Sequence, residues 1–265
     1  MTGQKVLTQF VITVVIFFAV WLSLSQVPFI NADDVRKVDS ATEKKLGELI
    51  LKAVQASEKQ IRSPQLVGVI DTLLNAVCKA ENIDPHSIKV YVIQKEEVNA
   101  FALPDRQIVI YSGLIKYAKS PEEVAGVIAH ELGHITKNHV MKKIVKELGI
   151  SMIFTLVGGN SGFEIVKEAA RTLSSSAFDR KQEEEADDFA FETLVKAGID
   201  PEQLANFLFR LSRESSNVPS ELVWLSTHPD TKERAADILK KKEGKKIEAK
   251  SIVRSSWALV QAKTE

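Results

Sequence analysis

Three of the chain's five histidines fall within the stretch "GVIAHELGHITKNH", residues 126–139. His130 and His134 are four residues apart, with Glu131 beside the first. At 3.6 residues per turn such a pair lies about 40° apart around a helix and one turn along, so both imidazoles can reach one tetrahedral zinc ion. Glu131 is rotated roughly 100° from His130, which brings it near a water at the metal without making it a ligand. A carboxylate so placed is suited to act as a general base. The H-E-x-x-H spacing therefore points to zinc-dependent hydrolysis, and Gly133 leaves one flank of the helix open for close packing or substrate approach.

Two histidines are too few for a site, and a third ligand is expected from the acidic run "RKQEEEADD", residues 180–188. Glu183, Glu184 and Glu185 all compete for the role, which would give a His₂Glu set with a fourth position left for water. Glu183 and Asp187 form an i, i+4 pair, so Glu183 can ligate while Asp187 accepts a hydrogen bond from a ligand imidazole. His139 stands five residues past His134, about 140° off the ligand face of a continuous helix, and is expected on the helix surface. The metzincin pattern would need glycine at 137 and histidine at 140, where the sequence has Lys137 and Val140. His86, in the turn "NIDPHS", is expected to be solvated.

The elements that must carry these residues are mostly helical. "SPEE", residues 120–123, opens the zinc helix with Ser120 as N-cap, Pro121 in the first turn and Glu123 closing a capping box. The pattern runs on to about Leu148. The apolar stretch "ISMIFTLV", residues 150–157, is too short to cross a bilayer and reads as a packed or lid-forming segment before "GGNSG". The acidic helix ends at Gly198, a C-cap. Strands are confined to 88–94, 98–103 and 106–112, with "PDR" as a tight hairpin connection. The expected fold is α+β: a mainly helical domain with a small antiparallel sheet beside the cleft.

Composition narrows the partners. The chain has 265 residues, with 35 basic and 35 acidic side chains, which offers no electrostatic match to nucleic acid. A single cysteine, Cys78, excludes an intrachain disulfide and reads as a buried helical thiol. From Val6 to Leu24 the sequence is uncharged and apolar, long enough to span a membrane, with Trp21 suited to an interface. An uncleaved anchor is favoured; Ser23 and Ser25 leave a cleaved signal peptide as the alternative. Either way everything after Gln26 is expected to be exported, anchored to the membrane or released from it. The expected organisation is an anchor or signal at 1–30, a helical segment at 31–64, a metallopeptidase domain at 65–245 and a tail at 246–265.

"HELGH", "RKQEEEAD" and "THPDTKER" (227–234), with "VNAFALPDRQIVIYSGL" (98–114) upstream, resemble the gluzincin family of the CAAX prenyl protease, the heat-shock protease HtpX and their exported bacterial relatives. The likeness spans roughly residues 65–240. It implies one zinc ion per chain, held by His130, His134 and Glu183, with Arg180, Ala186 and Asp187 completing the pattern around the third ligand. It implies that His228 lies near the metal, as an oxyanion stabiliser or in the open coordination position, and that Arg234 ties its loop to the core. Asn99 and Ala100 are implied to flank the cleft, where an extended peptide can add by backbone hydrogen bonds. The prenyl protease and HtpX carry several spans and this chain at most one, so the resemblance points to the exported members and to quality control of envelope proteins. The expected activity is zinc endopeptidase; the alternative is an envelope chaperone or assembly factor whose zinc is mainly structural.

Overall fold

The structure, a computed structural model, describes residues 9–10, 12–18, 35, 37–159, 162–214, 222–249, 251–253 and 257–264. About half of the apolar segment expected as an anchor, residues 6–8, 11 and 19–24, falls outside them. Its described part, residues 9–10 and 12–18 (α1), is helical with Phe10, Ile12, Phe17 and Phe18 exposed. Among the described residues no helix is long and apolar enough to cross a membrane.

Helices α2 (Ser40–Ser57) and α3 (Pro64–Ala80) lead into a three-stranded sheet of β1 (Lys89–Ile93), β2 (Ala100–Leu103) and β3 (Gln107–Tyr111). The sheet is mixed, in the order β1-β3-β2: β2 pairs antiparallel with β3, as the hairpin predicts, but β1 runs parallel to β3. The reason lies in burial. Ile108, Val109 and Ile110 of β3 are fully buried, and a strand apolar on both faces belongs in the centre of a sheet. Period-two alternation then divides the strand between two cores, with Ile108 and Ile110 in one and Val109 and Tyr111 in the other. The hairpin turn holds Asp105 and Arg106 at φ of 60° and 55°.

After the short α4 (Ser112–Tyr117) comes α5 (Pro121–Thr136), the zinc-motif helix. Ser120 caps it, its side chain accepting from the Glu123 amide. Glu123 reaches back to the Lys119 amide rather than that of Ser120, and its carboxylate is gripped by Arg210 through two contacts of 2.6 Å. The helix does not run on to Leu148. Asn138 adopts φ 58°, ψ 27°, the left-handed conformation that asparagine tolerates, and α6 (His139–Leu148) starts afresh in a new direction. The apolar α7 (Ile150–Val157) and α8 (Phe163–Ser175) then pack against α2 and α6.

Helix α9 (Arg180–Ala197) begins with a full Asp179–Gln182 capping box and ends at Gly198 with φ 70°. It is followed by α10 (Glu202–Glu214), α11 (Trp224–Thr227), α12 (Thr231–Lys242) and α13 (Trp257–Gln261). One core gathers α3, α5, α9, α10 and one face of the sheet; the other gathers α2, α6, α7, α8 and the opposite face. Cys78 is fully buried in the first. The C-terminal residues join it too: Val260 is buried, and Trp257 Nε1 and Gln261 Nε2 donate to the Ala118 carbonyl.

Candidate metal centre

Helix α5 turns His130, Glu131 and His134 inward, and all three are fully buried. Gly133 sits on the flank that meets α9. A Cβ there would lie 3.1 Å from the Ala186 Cα, so the missing side chain lets the two helices approach closely. Ala186 is three residues from Glu183 and precedes Asp187, and the contact brings both acids to the histidines. The fourth contributor, His228, follows α11 on a loop fastened by Arg180, which donates to Asp230 and Glu233 across 3.0 and 2.7 Å.

His130, His134, Glu183 and His228 each offer a ligand atom, all within 4.8 Å of one another. His130 Nε2 lies 3.0 Å from His134 Nε2 and 3.2 Å from His228 Nδ1. Glu183 Oε1 lies 3.0 Å from His228 Nδ1 and 3.4 Å from His134 Nε2. A tetrahedral zinc site with bonds of about 2.0–2.1 Å has ligand–ligand edges of about 3.3–3.4 Å, so this donor set fits zinc in its chemistry, and these four contacts are close to that size. The lone pairs argue in the same direction. His130 Nδ1 donates to Asp187 at 2.9 Å, which leaves the Nε2 of a neutral imidazole as a bare lone pair facing the centre. Converging lone pairs repel unless a cation lies between them.

The surrounding charges are arranged in tiers. Arg234 donates to both Asp187 oxygens at 2.7 and 2.8 Å and forms an ion pair with Glu183. It also approaches the Pro229 carbonyl at 3.5 Å, so it does link the His228 loop to the buried acids. Burial alone would raise the pKa of Asp187, but Arg234 outweighs it and holds the carboxyl well below its usual range. Burial is likewise outweighed at Glu183, where His228 and Arg234 keep the carboxylate ionised. Glu131 goes the other way: burial and the nearby Glu183 push its pKa well up. Neither Glu131 oxygen has a hydrogen-bond partner in the usual geometry among the described residues, and His228 Nε2 lies 3.5 Å from Oε1. Burial lowers His134 well below the ordinary histidine range and takes His228 down to about 4, which favours neutral, ligating imidazoles.

Asn99 and Ala100 lie where β2 begins. Both are fully buried, and Asn99 Nδ2 donates to the Ser174 carbonyl at the end of α8. Among the described residues β2 is an edge strand, paired only with β3. Glu184 is exposed; Glu185 instead contacts His139 at 3.0 Å.

His139 is the plainest departure from expectation. It is 0% exposed, and its Nδ1 lies 3.1 Å from His134 Nδ1. The surface assignment assumed an unbroken helix, and the left-handed Asn138 cancels the rotation on which it rested. The asparagine just before the third histidine was the available signal. His86, in contrast, is exposed as expected. Sequence reasoning also missed the aromatic walls. Phe178 stacks on His134 with ring centroids 3.7 Å apart, and Trp224 stacks on His228 at 4.0 Å. Lys143 lies over the outer face of Phe178.

Residues 64–242 match the family model described as Peptidase family M48. Among relatives, the chain is 27% identical to the beta-barrel assembly-enhancing protease of Yersinia pestis, over 72% of this chain and 42% of that protein. It is 31% identical to Metalloprotease LoiP of Escherichia coli K12, over 64% of this chain and 68% of that one. To Mitochondrial metalloendopeptidase OMA1 of Arabidopsis thaliana the identity is 34%, over 56% of this chain and 30% of the relative. The chain thus spans about two fifths of the length of the first of these. With the family model covering well over half of the sequence, including all four clustered side chains, the chain belongs to the M48 peptidases.

Proposed function

We propose that the chain is a zinc-dependent endopeptidase acting on membrane-associated or exported proteins. The observation that carries this is the four-residue donor set of three histidines and a glutamate, with the buried carboxylate of Glu131 directly beside it. His130, His134 and Glu183 would hold the ion. When bound, zinc would supply Lewis acidity to water and to the scissile carbonyl. Glu131, its pKa raised by burial, accepts the proton of the attacking water and returns it to the leaving amine. Asp187 fixes the proton of His130 on Nδ1, and Arg234 keeps Asp187 ionised. An extended peptide adding to β2 near Asn99 and Ala100 would lie alongside the helix that carries this carboxylate, since α5 packs against that strand. The name of the Yersinia relative, a beta-barrel assembly-enhancing protease, favours substrates of the cell envelope, and the apolar segment 6–24 would anchor the chain there.

One feature favours a second reading. His228 Nδ1 stands at the fourth corner of the donor set, where a hydrolytic site needs room for water. A site so closed is latent, and a chaperone or assembly factor would use it structurally. A structural site, however, has no use for Glu131, whose burial without a partner costs stability.

Zinc content and casein cleavage separate the two. Glu131→Gln is expected to retain one zinc and lose at least about a hundredfold in hydrolysis, the scale of general-base catalysis. His228→Ala is expected to raise hydrolysis by freeing the fourth corner. A wild type and a His228→Ala variant that both bind zinc but cut nothing would sink the enzyme reading.

A further inference from the structure

We infer that His139 and Glu185 form a positioning pair that fixes the proton of His134 on Nδ1 and so presents the His134 Nε2 lone pair to the metal. The inference rests on the zinc reading above. The Glu185 carboxylate is acceptor-only, and His139 Nε2 lies 3.0 Å from its Oε2. A neutral His139 therefore carries its proton on Nε2, which leaves its Nδ1 as an acceptor. That Nδ1 faces His134 Nδ1 at 3.1 Å, and only one of two such nitrogens can hold the shared proton. It must be His134. Its Nε2 is then a lone pair, 3.0 Å from the His130 Nε2 across the centre.

The two ligand histidines are thus oriented by different devices. His130 donates directly to the buried Asp187. His134 reaches its carboxylate at one remove, through a second imidazole, to an acid at the surface: Glu185 is 39% exposed, whereas Asp187 is buried. The geometry needs the chain break after α5. Only because Asn138 starts a new helix does His139 turn back over the flank of His134, with Phe178 stacked on the ring of His134 to limit its rotation. The three glutamates of "EEE" consequently divide their work: Glu183 faces the centre, Glu184 faces solvent, and Glu185 terminates the relay.

The test is zinc affinity of the full chain, measured by competition with a chromophoric chelator, with wild type, His139→Leu, His139→Asn and Glu185→Ala compared. Removing an orienting partner of a ligand histidine typically costs about 10–100-fold in metal affinity, and that loss is expected for His139→Leu. His139→Asn puts an amide oxygen close to the place of Nδ1 and is expected to recover most of the loss, which a purely packing role would not allow. Glu185→Ala is expected to lose affinity to a smaller degree. It changes a half-exposed side chain and carries the test if His139→Leu fails to fold by circular dichroism. Wild-type affinity in His139→Leu, or in Glu185→Ala where the former is unfolded, overturns the pair, as does an asparagine variant no better than leucine. A wild type that takes up no zinc overturns the metal reading itself.

Discussion

Lys143 shows how individual side chains around the centre are held at a cost. It is only 7% exposed, lies over the Phe178 ring at 4.2 Å, and feels both Glu131 and Glu183. Burial outweighs those acids and lowers its pKa to about 8. A lysine whose folded pKa is depressed binds fewer protons folded than unfolded. Its contribution to stability is therefore present above the unfolded value, near 10.4, and is lost as pH falls through about 8. At pH 7 the buried ammonium is a full penalty of roughly 3 kcal/mol. Lys143→Met keeps the apolar stem and removes the charge, so the metal-free variant is expected to melt higher than wild type at pH 7. The gap should narrow steadily between pH 8 and 10. A gap independent of pH would show that packing, not charge, is responsible. Nothing in the sequence marked this lysine, because its neighbours come from α5, from the loop before α9 and from α9 itself. His130, Glu131 and His134 were legible for the opposite reason: their geometry is internal to one helix.

Helices are placed by small residues as much as by large ones. Gly133 and Ala186 let α5 and α9 approach, and the two helices pack along an extensive contact. Because the third ligand rides on α9, the spacing of the two helices sets the width of the donor set. Gly133→Val forces branched carbons into a space where even a Cβ lies 3.1 Å from the Ala186 Cα and carbonyl oxygen. Overpacking of this kind costs about 1–3 kcal/mol. The variant is expected to melt lower and to bind zinc more weakly, as Glu183 is pushed outward. Weaker melting with unchanged zinc affinity would show that α9 shifts without carrying its ligand. Caps and periodicity made both helices legible, down to Ser120 and Gly198. The sheet order was not, since three apolar strands in sequence do not say which lies in the middle. The end of α5 was misread because helical periodicity cannot see a single left-handed residue.

At the scale of the molecule, the two cores share the sheet, and the metal centre lies beside it. The family match begins at residue 64, and a domain from 65 to 245 is what the motifs alone suggest. The second core, however, is built on α2. Leu46, Ile50, Leu51 and Val54 are buried there against α7, α8 and β2. Gly47 presses on the hairpin turn, where a Cβ would meet the Pro104 carbonyl, and Glu43 accepts from the Asp105 amide. The chain after α2 adds a further partner to the sheet: the Ile61 amide donates to Val92, and the Gln94 amide to Lys59. Each of those four apolar side chains is worth about 1.5–3 kcal/mol when buried, against a total stability of roughly 5–15 kcal/mol for a typical domain. A fragment starting at Gln65 should therefore lose cooperative unfolding and aggregate, although it contains every clustered ligand. A fragment starting at Asp39, which keeps the N-cap of α2, should unfold cooperatively and take up zinc. On the proposal that segment 6–24 anchors the chain, this fragment should also stay in the soluble fraction, whereas the full chain should sediment with membranes and resist alkaline extraction. Cooperative melting of the Gln65 fragment at the temperature of the longer one would mean that α2 is an appendage. Loss of folding places it within the peptidase unit, holding α7 and α8 against the flank of the sheet, where the end of α8 meets Asn99.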